Sequence, residues 1–403
     1  MDREYLKTHP WLTFELEREL TRTPELWALL GEAQSKCEHL AGVLIEPEVA
    51  ATLHRLYLAR GAAATTQIEG SPLTEDEALA VVEGRALTND SDADYERQIR
   101  NIVDTCNWFI NELEQGERPP ITPERIKLLN KRVLEGTELD EGVEPGEISR
   151  DDVVVRIFNY RGAPRQDCEY LLKRLCDFLH SHAFVMPEHL TTAQAILRAI
   201  IAHLYIALIH PFGDGNGRTA RLMEVQILLA SGVPAPAVHL LSNHYNETRR
   251  AYYRELDRVS KSNGLVSQFM LYALRGLVSQ LAEQIGVVRE YQRDIMWREH
   301  VDRGFKGLTG KPALRQRELI LIISRLPVQG PLSSSRLTEH SEVRALYAAL
   351  DPKTLSRDVN ELKRMALLRA PGPGLIVANL DVLKSLQVRH YPTRPMAPKV
   401  QSA

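Results

Sequence analysis

Apolar residues recur every three or four positions through most of residues 11–280, for example at Leu171, Leu175 and Leu179. This spacing places apolar side chains on one face of a helix, so it predicts a mainly α-helical protein. The longest apolar stretch, AIIAHLYIALI at 199–209, is too short to span a bilayer and predicts a buried helix.

One segment departs from the helical pattern. The stretch DDVVVRIFNYRGAP at 151–164 is rich in β-branched residues and ends in Gly and Pro, which predicts a short hairpin. A two-stranded ribbon is marginal alone, so it must pack on other elements or await a partner. Its unpaired edge could bind an extended peptide by strand addition, whereas an ordinary surface hairpin is the alternative.

Residues 312–385 have a different pattern. An amphipathic helix is predicted over 313–326, LSSSRLTEH begins a second helix, and 351–368 a third, with Asp351 as its N-cap. A short LLRA…LIVA pair then predicts a hairpin turned by PGPG. Helix, helix, helix and hairpin resemble a winged helix-turn-helix domain.

This C-terminal segment is also locally basic. Residues 311–370 hold eleven Lys and Arg against six Asp and Glu, whereas the whole chain has a formal net charge of −3. A local basic excess is expected of DNA binding. Dimerisation and protein docking are the alternatives for a module of this type, and Asp358 and Glu361 on the third helix favour them.

Length and composition add limits. A chain of 403 residues that is 44% hydrophobic suggests two or three domains with ordinary globular cores. The charged N-terminus shows no secretory signal, and the four cysteines lack CxxC spacing, so we expect a cytoplasmic protein with reduced thiols. The expected organisation is a helical segment, a core, a helical connector, a C-terminal domain and a disordered tail, at 1–45, 46–280, 281–311, 312–385 and 386–403.

The stretch HPFGDGNGRTAR at 210–221 concentrates polar chemistry. Pro211 and Gly213 are predicted to stop the apolar helix before it, and a second helix follows. The loop amides would then lie at a helix N-terminus, which binds anions because those amides lack partners.

The charged residues of the loop fit phosphate chemistry. Arg218 and Arg221 lie on the same side of the first turn and could bind phosphate oxygens. Asp214 is an oxygen ligand suited to Mg²⁺, and a neutral His210 could take a proton from an incoming hydroxyl. A Gly-rich turn beside a core histidine is the structural alternative.

HPFGDGNGRTAR meets every fixed position of HxFx(D/E)GNGRxxR and thereby resembles the signature of the Fic (Fido) family. The resemblance extends over residues 25–280. It implies a helical core and an enzyme, a protein adenylyltransferase. Such an enzyme transfers AMP from ATP to a Tyr, Ser or Thr hydroxyl of a target protein, with Mg²⁺ bound and pyrophosphate released.

The resemblance also implies roles for individual residues. His210 would be the general base, and Asp214 would hold Mg²⁺ on the nucleotide. The implied nucleotide-binding residues are Phe212, Gly213, Asp214, Gly215, Asn216, Gly217, Arg218, Arg221 and Tyr253. Phe212 would also anchor the loop, and the Asn216 side chain would join the anion-binding amides.

The predicted hairpin resembles the family's flap, which aligns the target's hydroxyl residue. Its docking residues would be Val153, Val154, Val155 and Arg156. The sequence PGEISRDDVVVR departs from the commoner PGxYR of the family by placing Ile148 and Ser149 where Tyr-Arg is usual.

A second motif lies near the end of a helix predicted over residues 48–69, where Gly70 and Pro72 end it. Glu69 lies in the last turn, where the helix dipole disfavours an anion by about 0.3–1 kcal/mol, so a cationic partner is expected. Thr65, Glu69 and Gly70 match the Fic inhibitory pattern. The resemblance implies that Glu69 pairs with Arg221 and restrains ATP binding, within an inhibitory helix at 48–70.

Some alternatives stay open. The chain could be a DNA-binding regulator in which the Fic core is a ligand-sensing or toxin-like module, although a binding module has no need of a base. Transfer of UMP, phosphocholine or phosphate, and removal of AMP, are further possibilities within the enzyme class. A homodimer is expected from the family alone.

Overall fold

The structure is a computed structural model. It describes residues 3–17, 20, 22–87, 92–155, 160–262, 264–326 and 330–383. The chain divides into two compact units, Met1–Gly286 and Val287–Ala403. The predicted disordered tail, 386–403, lies outside the described residues.

The first unit is helical, as predicted. Its helices are α1 (Tyr5–Thr8), α2 (Pro24–Ala41), α3 (Pro47–Ile68), α4 (Glu75–Val82), α5 (Ala93–Glu114), α6 (Pro123–Val133), α7 (Arg165–Leu179), α8 (Thr191–Ile209), α9 (Asn216–Ala230), α10 (Leu240–Glu247) and α11 (Arg249–Lys261). A long helix, α12 (Ser267–Gly304), runs past the boundary between the two units. Thr248 separates α10 from α11.

Helix α8 forms the centre of this unit. Every residue from Ala199 to Ile209 is buried, because a helix that is apolar on all sides is stable only when surrounded. By length and composition, the segment Glu188–Ile209 could cross a membrane. However, 78% of its apolar part is buried inside the protein, as in a core helix.

Helix α3 begins with Pro47 at its first position and ends where Gly70 takes a φ of 108°. Eleven of its residues are buried, mostly between Tyr57 and Ile68. Gly61 lies so close to His239 that a side chain there would collide with the imidazole ring. The C-terminal half of α3 is therefore packed firmly into the unit.

The predicted hairpin is present. Strand β1 (Val154–Val155) pairs antiparallel with β2 (Tyr160–Arg161), with Val154 opposite Arg161. The connecting residues 156–159, and with them Arg156, lie outside the described residues.

The second unit contains α13 (Lys311–Arg325), β3 (Leu332–Ser333), α14 (Ser341–Tyr347), α15 (Pro352–Arg364), β4 (Leu368–Arg369) and β5 (Leu375–Ala378). The strands form an antiparallel sheet in the order β3-β5-β4. Three helices followed by the β4–β5 hairpin agree with the predicted order of elements, whereas strand β3 was not predicted. LSSSRLTEH does not begin a helix: it holds β3 and a short 3₁₀ turn, and the second helix begins at Ser341.

Candidate active site

Residues 210–215 form the loop between α8 and α9. Helix α8 ends at Ile209, and His210 after it adopts a left-handed backbone conformation with φ 52°. The predicted breakers Pro211 and Gly213 follow His210. Gly215, with φ 74°, is the N-cap of α9 and takes this conformation without steric cost. The loop thus turns through left-handed residues at both ends.

Backbone hydrogen bonds tie this loop to the segment that carries the hairpin. Ala163 donates its N–H to the carbonyl of Ile209, and Ser149 donates to Pro211, both at 2.9 Å. An antiparallel bridge also joins Ile148 to Phe212. The residues that depart from the family's flap pattern therefore still contact the loop.

Two asparagines hold the loop closed. The Asn216 amide accepts from the backbone N–H of Phe212 at 2.9 Å and donates to its carbonyl at 2.7 Å. Buried Asn130, on α6, donates to the carbonyl of Asp214 at 2.9 Å and accepts from the N–H of Gly146 at 2.9 Å. The Asn216 side chain is thus committed to Phe212, which leaves its backbone N–H for an anion.

His210 is positioned for proton transfer. Its Nδ1 lies 3.2 Å from the carbonyl of Ala207, and this contact fits a tautomer in which Nδ1 carries the proton and Nε2 is free to accept one. Burial lowers the pKa of His210, although the nearby carboxylates of Glu69 and Asp214 partly oppose it. The neutral, basic form therefore predominates at neutral pH.

Arg218 has donors without partners. Its Nη2 donates to Asp214 Oδ2 at 2.9 Å, whereas Nε and Nη1 are buried and have no hydrogen-bond partner among the described residues. The N–H groups of the first turn of α9, including Gly217, have no acceptor within the helix. Buried cationic donors beside a helix N-terminus favour an anionic ligand such as phosphate.

Arg221 is 1% exposed and binds the end of α3. Its Nε donates to Thr65 Oγ1 at 2.5 Å, and Nη2 donates to the Thr65 carbonyl at 3.0 Å and to Glu69 Oε1. Partial burial opposes ionisation of Glu69, but the Arg221 charge outweighs it and lowers the pKa of that carboxyl. The pair is therefore charged at neutral pH, and Arg221 Nη1 still has no hydrogen-bond partner in the part of the chain that the structure describes.

The Glu69 carboxylate lies against Gly217, in the first turn of α9. A Cβ at Gly217 would collide with Glu69 Oε1, so only glycine leaves room for this carboxylate. The anion-binding end of α9 is thus already contacted by an anion from the protein itself.

Tyr253 contacts the same end of α3. Its hydroxyl donates to the carbonyl of Ile68 at 3.0 Å, one residue before Glu69. The neighbouring Tyr252 is fully buried, and its hydroxyl lies 2.9 Å from His203 Nε2. Tyr253 therefore borders the site, and Tyr252 belongs to the core beneath it.

The predicted docking strand is exposed on one side. Among the described residues β1 pairs only with β2, and Val154 is more than half exposed. The carbonyl of Val153 accepts from the N–H of Gly162 at 2.9 Å, and a Cβ at Gly162 would lie 3.0 Å from His210 Cβ. The hairpin thus lies directly beside the candidate base. Of the other predicted docking residues, Val155 belongs to β1 and Arg156 is not described.

A metal ion at this site would take most of its ligands from a bound phosphate compound and from water. No group of three or more His, Cys, Asp or Glu in the described part of the chain is placed to hold an ion. Asp214 has a half-exposed side chain beside the unpartnered donors of Arg218. A single carboxylate fits Mg²⁺ when phosphates and waters supply the other ligands.

Comparison with known proteins agrees with this geometry. Residues 120–228 match the model of the Fic/DOC family. This part of the chain is a Fic domain. It holds α6, the hairpin, α7, α8, the loop and most of α9, whereas the Glu69 end of α3 and Tyr253 lie outside it.

The Fic domain has relatives named as enzymes. The chain is 30% identical over 227 residues to protein adenylyltransferase fic-1 of Caenorhabditis briggsae and 29% identical over 234 residues to that of Caenorhabditis elegans. These matches cover 56% and 58% of this chain, but only 41% and 42% of the relatives. The chain thus spans about two fifths of their length.

A solved structure shares the fold. A Fic family protein from Desulfovibrio desulfuricans matches with a TM-score of 0.54 and 19% identity, over 88% of this chain and 95% of that one. At this identity the match supports the fold alone.

Asn130 also belongs to the site, although no motif in the sequence marks it. Among the residues that the structure describes, only Asn130 bonds both the loop and Gly146 through its side chain. Its sole local signal is a polar residue among the buried positions of α6.

Proposed function

We propose that this chain transfers AMP from ATP to a hydroxyl of a protein and restrains itself through Glu69. One observation carries the proposal: the Glu69 carboxylate lies on Gly217 and Arg221, where a helix N-terminus and buried guanidinium donors favour phosphate. The relatives named protein adenylyltransferases support ATP as the donor.

In this proposal each residue has one task. His210 Nε2 takes the proton of the acceptor hydroxyl, which then attacks the α-phosphorus while pyrophosphate leaves. The free donors of Arg218 and Arg221 bind phosphate oxygens, and the first amides of α9 add to them. Asp214 would hold Mg²⁺, which neutralises phosphate charge when bound.

The hairpin would position the acceptor. Among the described residues β1 pairs only with β2, and Gly162, directly after β2, lies against His210, so an extended target segment could add to the outer edge of β1 as a third strand. Main-chain bonds of this kind fix the register of the segment and tolerate varied side chains. The acceptor hydroxyl would then face His210.

Restraint follows from competition between two anions. A nucleotide phosphate and the Glu69 carboxylate would use the same donors, and like charges at this distance repel. Removing the Glu69 side chain would free Arg221 for phosphate, while Thr65 continues to hold its guanidinium.

The test is transfer of label from α-³²P-ATP, with Mg²⁺, to the chain itself and to proteins of a cell lysate. We expect Glu69→Gly to label at least about tenfold faster than wild type, because a hydrogen bond to a charged group contributes about 1.5–3 kcal/mol and about 1.4 kcal/mol corresponds to a factor of ten in rate. Glu46→Gly is the matched control, because it removes an exposed carboxylate from the other end of α3. Equal labelling by the Glu69→Gly and wild-type chains would refute the restraint.

A further inference from the structure

Helix α15 presents an exposed polar face. Lys353, Ser356, Arg357 and Asn360 are all exposed, and their spacing of three, four and seven residues places them on one side of the helix. On the opposite side, Val359 and Leu362 are buried in the core of the second unit. The polar face is therefore directed away from that core.

The acidic residues of α15 do not oppose this face. Asp358 is buried and accepts from Arg315, Gln316 and the Tyr347 hydroxyl. Glu361 accepts from Arg364. The acidic groups that favoured a protein-docking role from sequence are thus neutralised within the unit.

The cations of α15 are largely free to bind a ligand. Lys353, Arg357 and Lys363 have no carboxylate partner within 4.0 Å in the described part of the chain. Most other arginines of the unit do have one: Arg317 pairs with Asp302, and Arg369 with Asp381. Three cations that lack a carboxylate partner in the described part of the chain therefore lie along α15.

We propose that this face of α15 binds duplex DNA in the major groove. An α-helix fits that groove, where Arg and Asn form paired hydrogen bonds with guanine and adenine and Ser bonds with any base edge. Lys353 and Lys363 would contact phosphates. Arg357, Asn360 and Ser356 supply the donors and acceptors that read bases.

The chemistry of the face favours DNA over a protein partner. Protein interfaces depend on buried aromatic and aliphatic anchors, and the exposed positions Lys353, Ser356, Arg357, Asn360 and Arg364 include none. Duplex RNA is a poorer fit, because its major groove is too deep and narrow for side chains to read.

The test uses the full chain and a fluorescent random-sequence duplex of about 20 base pairs, with anisotropy measured from about 50 to 200 mM salt. We expect wild-type affinity to fall steeply with salt. The double variant Lys353→Ala, Arg357→Ala should bind about tenfold more weakly or worse, with a log–log salt slope smaller by about one, because Lys353 is the phosphate contact of the two. Circular dichroism should show that it remains folded.

The control removes the same charge from α13, in the variant Arg317→Ala, Arg325→Ala, and should keep at least half of the wild-type affinity. No binding by wild type at low salt, or an equal loss in this control, would overturn the proposal. DNA binding does not depend on AMP transfer, so Glu69→Gly should bind the duplex as wild type does. The two proposals can therefore fail separately.

Discussion

Each unit of the molecule contains a carboxylate paired with an arginine, and the two pairs differ in how completely the carboxylate is satisfied. Asp358 is 3% exposed and accepts from three side chains, including both Nε and Nη2 of Arg315 at 2.6 and 3.2 Å. The Glu69 side chain is 31% exposed and bonds only Arg221 among the described residues, at the C-terminal end of α3 where the helix dipole disfavours it.

This difference separates a structural pair from a displaceable one. Asp358 cannot leave its partners without exposing several buried groups, so its pair fixes α15 against α13 and α14. Glu69 can be replaced at Arg221 by another anion, since Thr65 would still hold the guanidinium and further donors nearby are free. Ion pairs that regulate a site should be of the second kind.

The largest effect is expected at the base beside the displaceable pair. His210→Ala in the Glu69→Gly background should reduce AMP transfer by about 10²–10⁴-fold, because the acceptor hydroxyl loses its proton acceptor. ATP binding, measured by calorimetry, should persist, since the phosphate donors remain. A variant as active as its parent would remove His210 from the mechanism.

Breaking the structural pair should cost stability rather than change activity. Asp358→Ala leaves Arg315 without its partner in a largely buried position and should lower the free energy of unfolding of the second unit by about 3 kcal/mol. Hydrogen exchange of the α15 amides followed by mass spectrometry measures this locally. A loss below about 0.5 kcal/mol would place this pair with ordinary surface ion pairs.

Ligand binding should distinguish the two pairs. At about 100 times its dissociation constant, ATP with Mg²⁺ should stabilise the first unit of Glu69→Gly by about 2.7 kcal/mol. The same concentration should stabilise wild type less, because Glu69 competes for Arg221. Thermal unfolding with and without ATP measures both, and equal shifts would contradict the competition.

A smaller effect is expected from pH. Burial lowers the pKa of His210 below the ordinary histidine pKa of about 6.5. The basic form of His210 therefore persists as the pH falls to about 6.5 and is lost only at lower pH. In Glu69→Gly, kcat/KM for ATP should therefore stay level between about pH 7.5 and 6.5 and decline at lower pH. An acidic limb centred above pH 6.5 would contradict this assignment of the base.

Features with local signals could be predicted from the sequence. The end of α3 follows from Gly70 and Pro72, the hairpin from its β-branched run, and the loop from its glycines. Helix ends and turns depend on residues close in sequence, which is why these predictions agree with the structure. The pairing of Glu69 with Arg221 joins residues 152 positions apart and was expected from the resemblance to the Fic family, and the pair is present in the structure.

Features that depend on distant contacts and belong to no recognised motif could not be predicted. Asn130 bonds a carbonyl 84 residues away. Strand β3 pairs with β5 but has only two residues, which is too short for an alternating pattern of apolar and polar residues. No Gly or Pro marks the break between α10 and α11 at Thr248. The buried position of Asp358 likewise depends on Arg315, 43 residues before it.

The most direct test of the displaceable pair is the intact mass of purified wild-type and Glu69→Gly chains after incubation with ATP and Mg²⁺. We expect a gain of one or more adenylyl groups that is larger in Glu69→Gly and absent when His210→Ala is added. A gain as large in wild type as in Glu69→Gly, or one that survives loss of His210, would contradict the account.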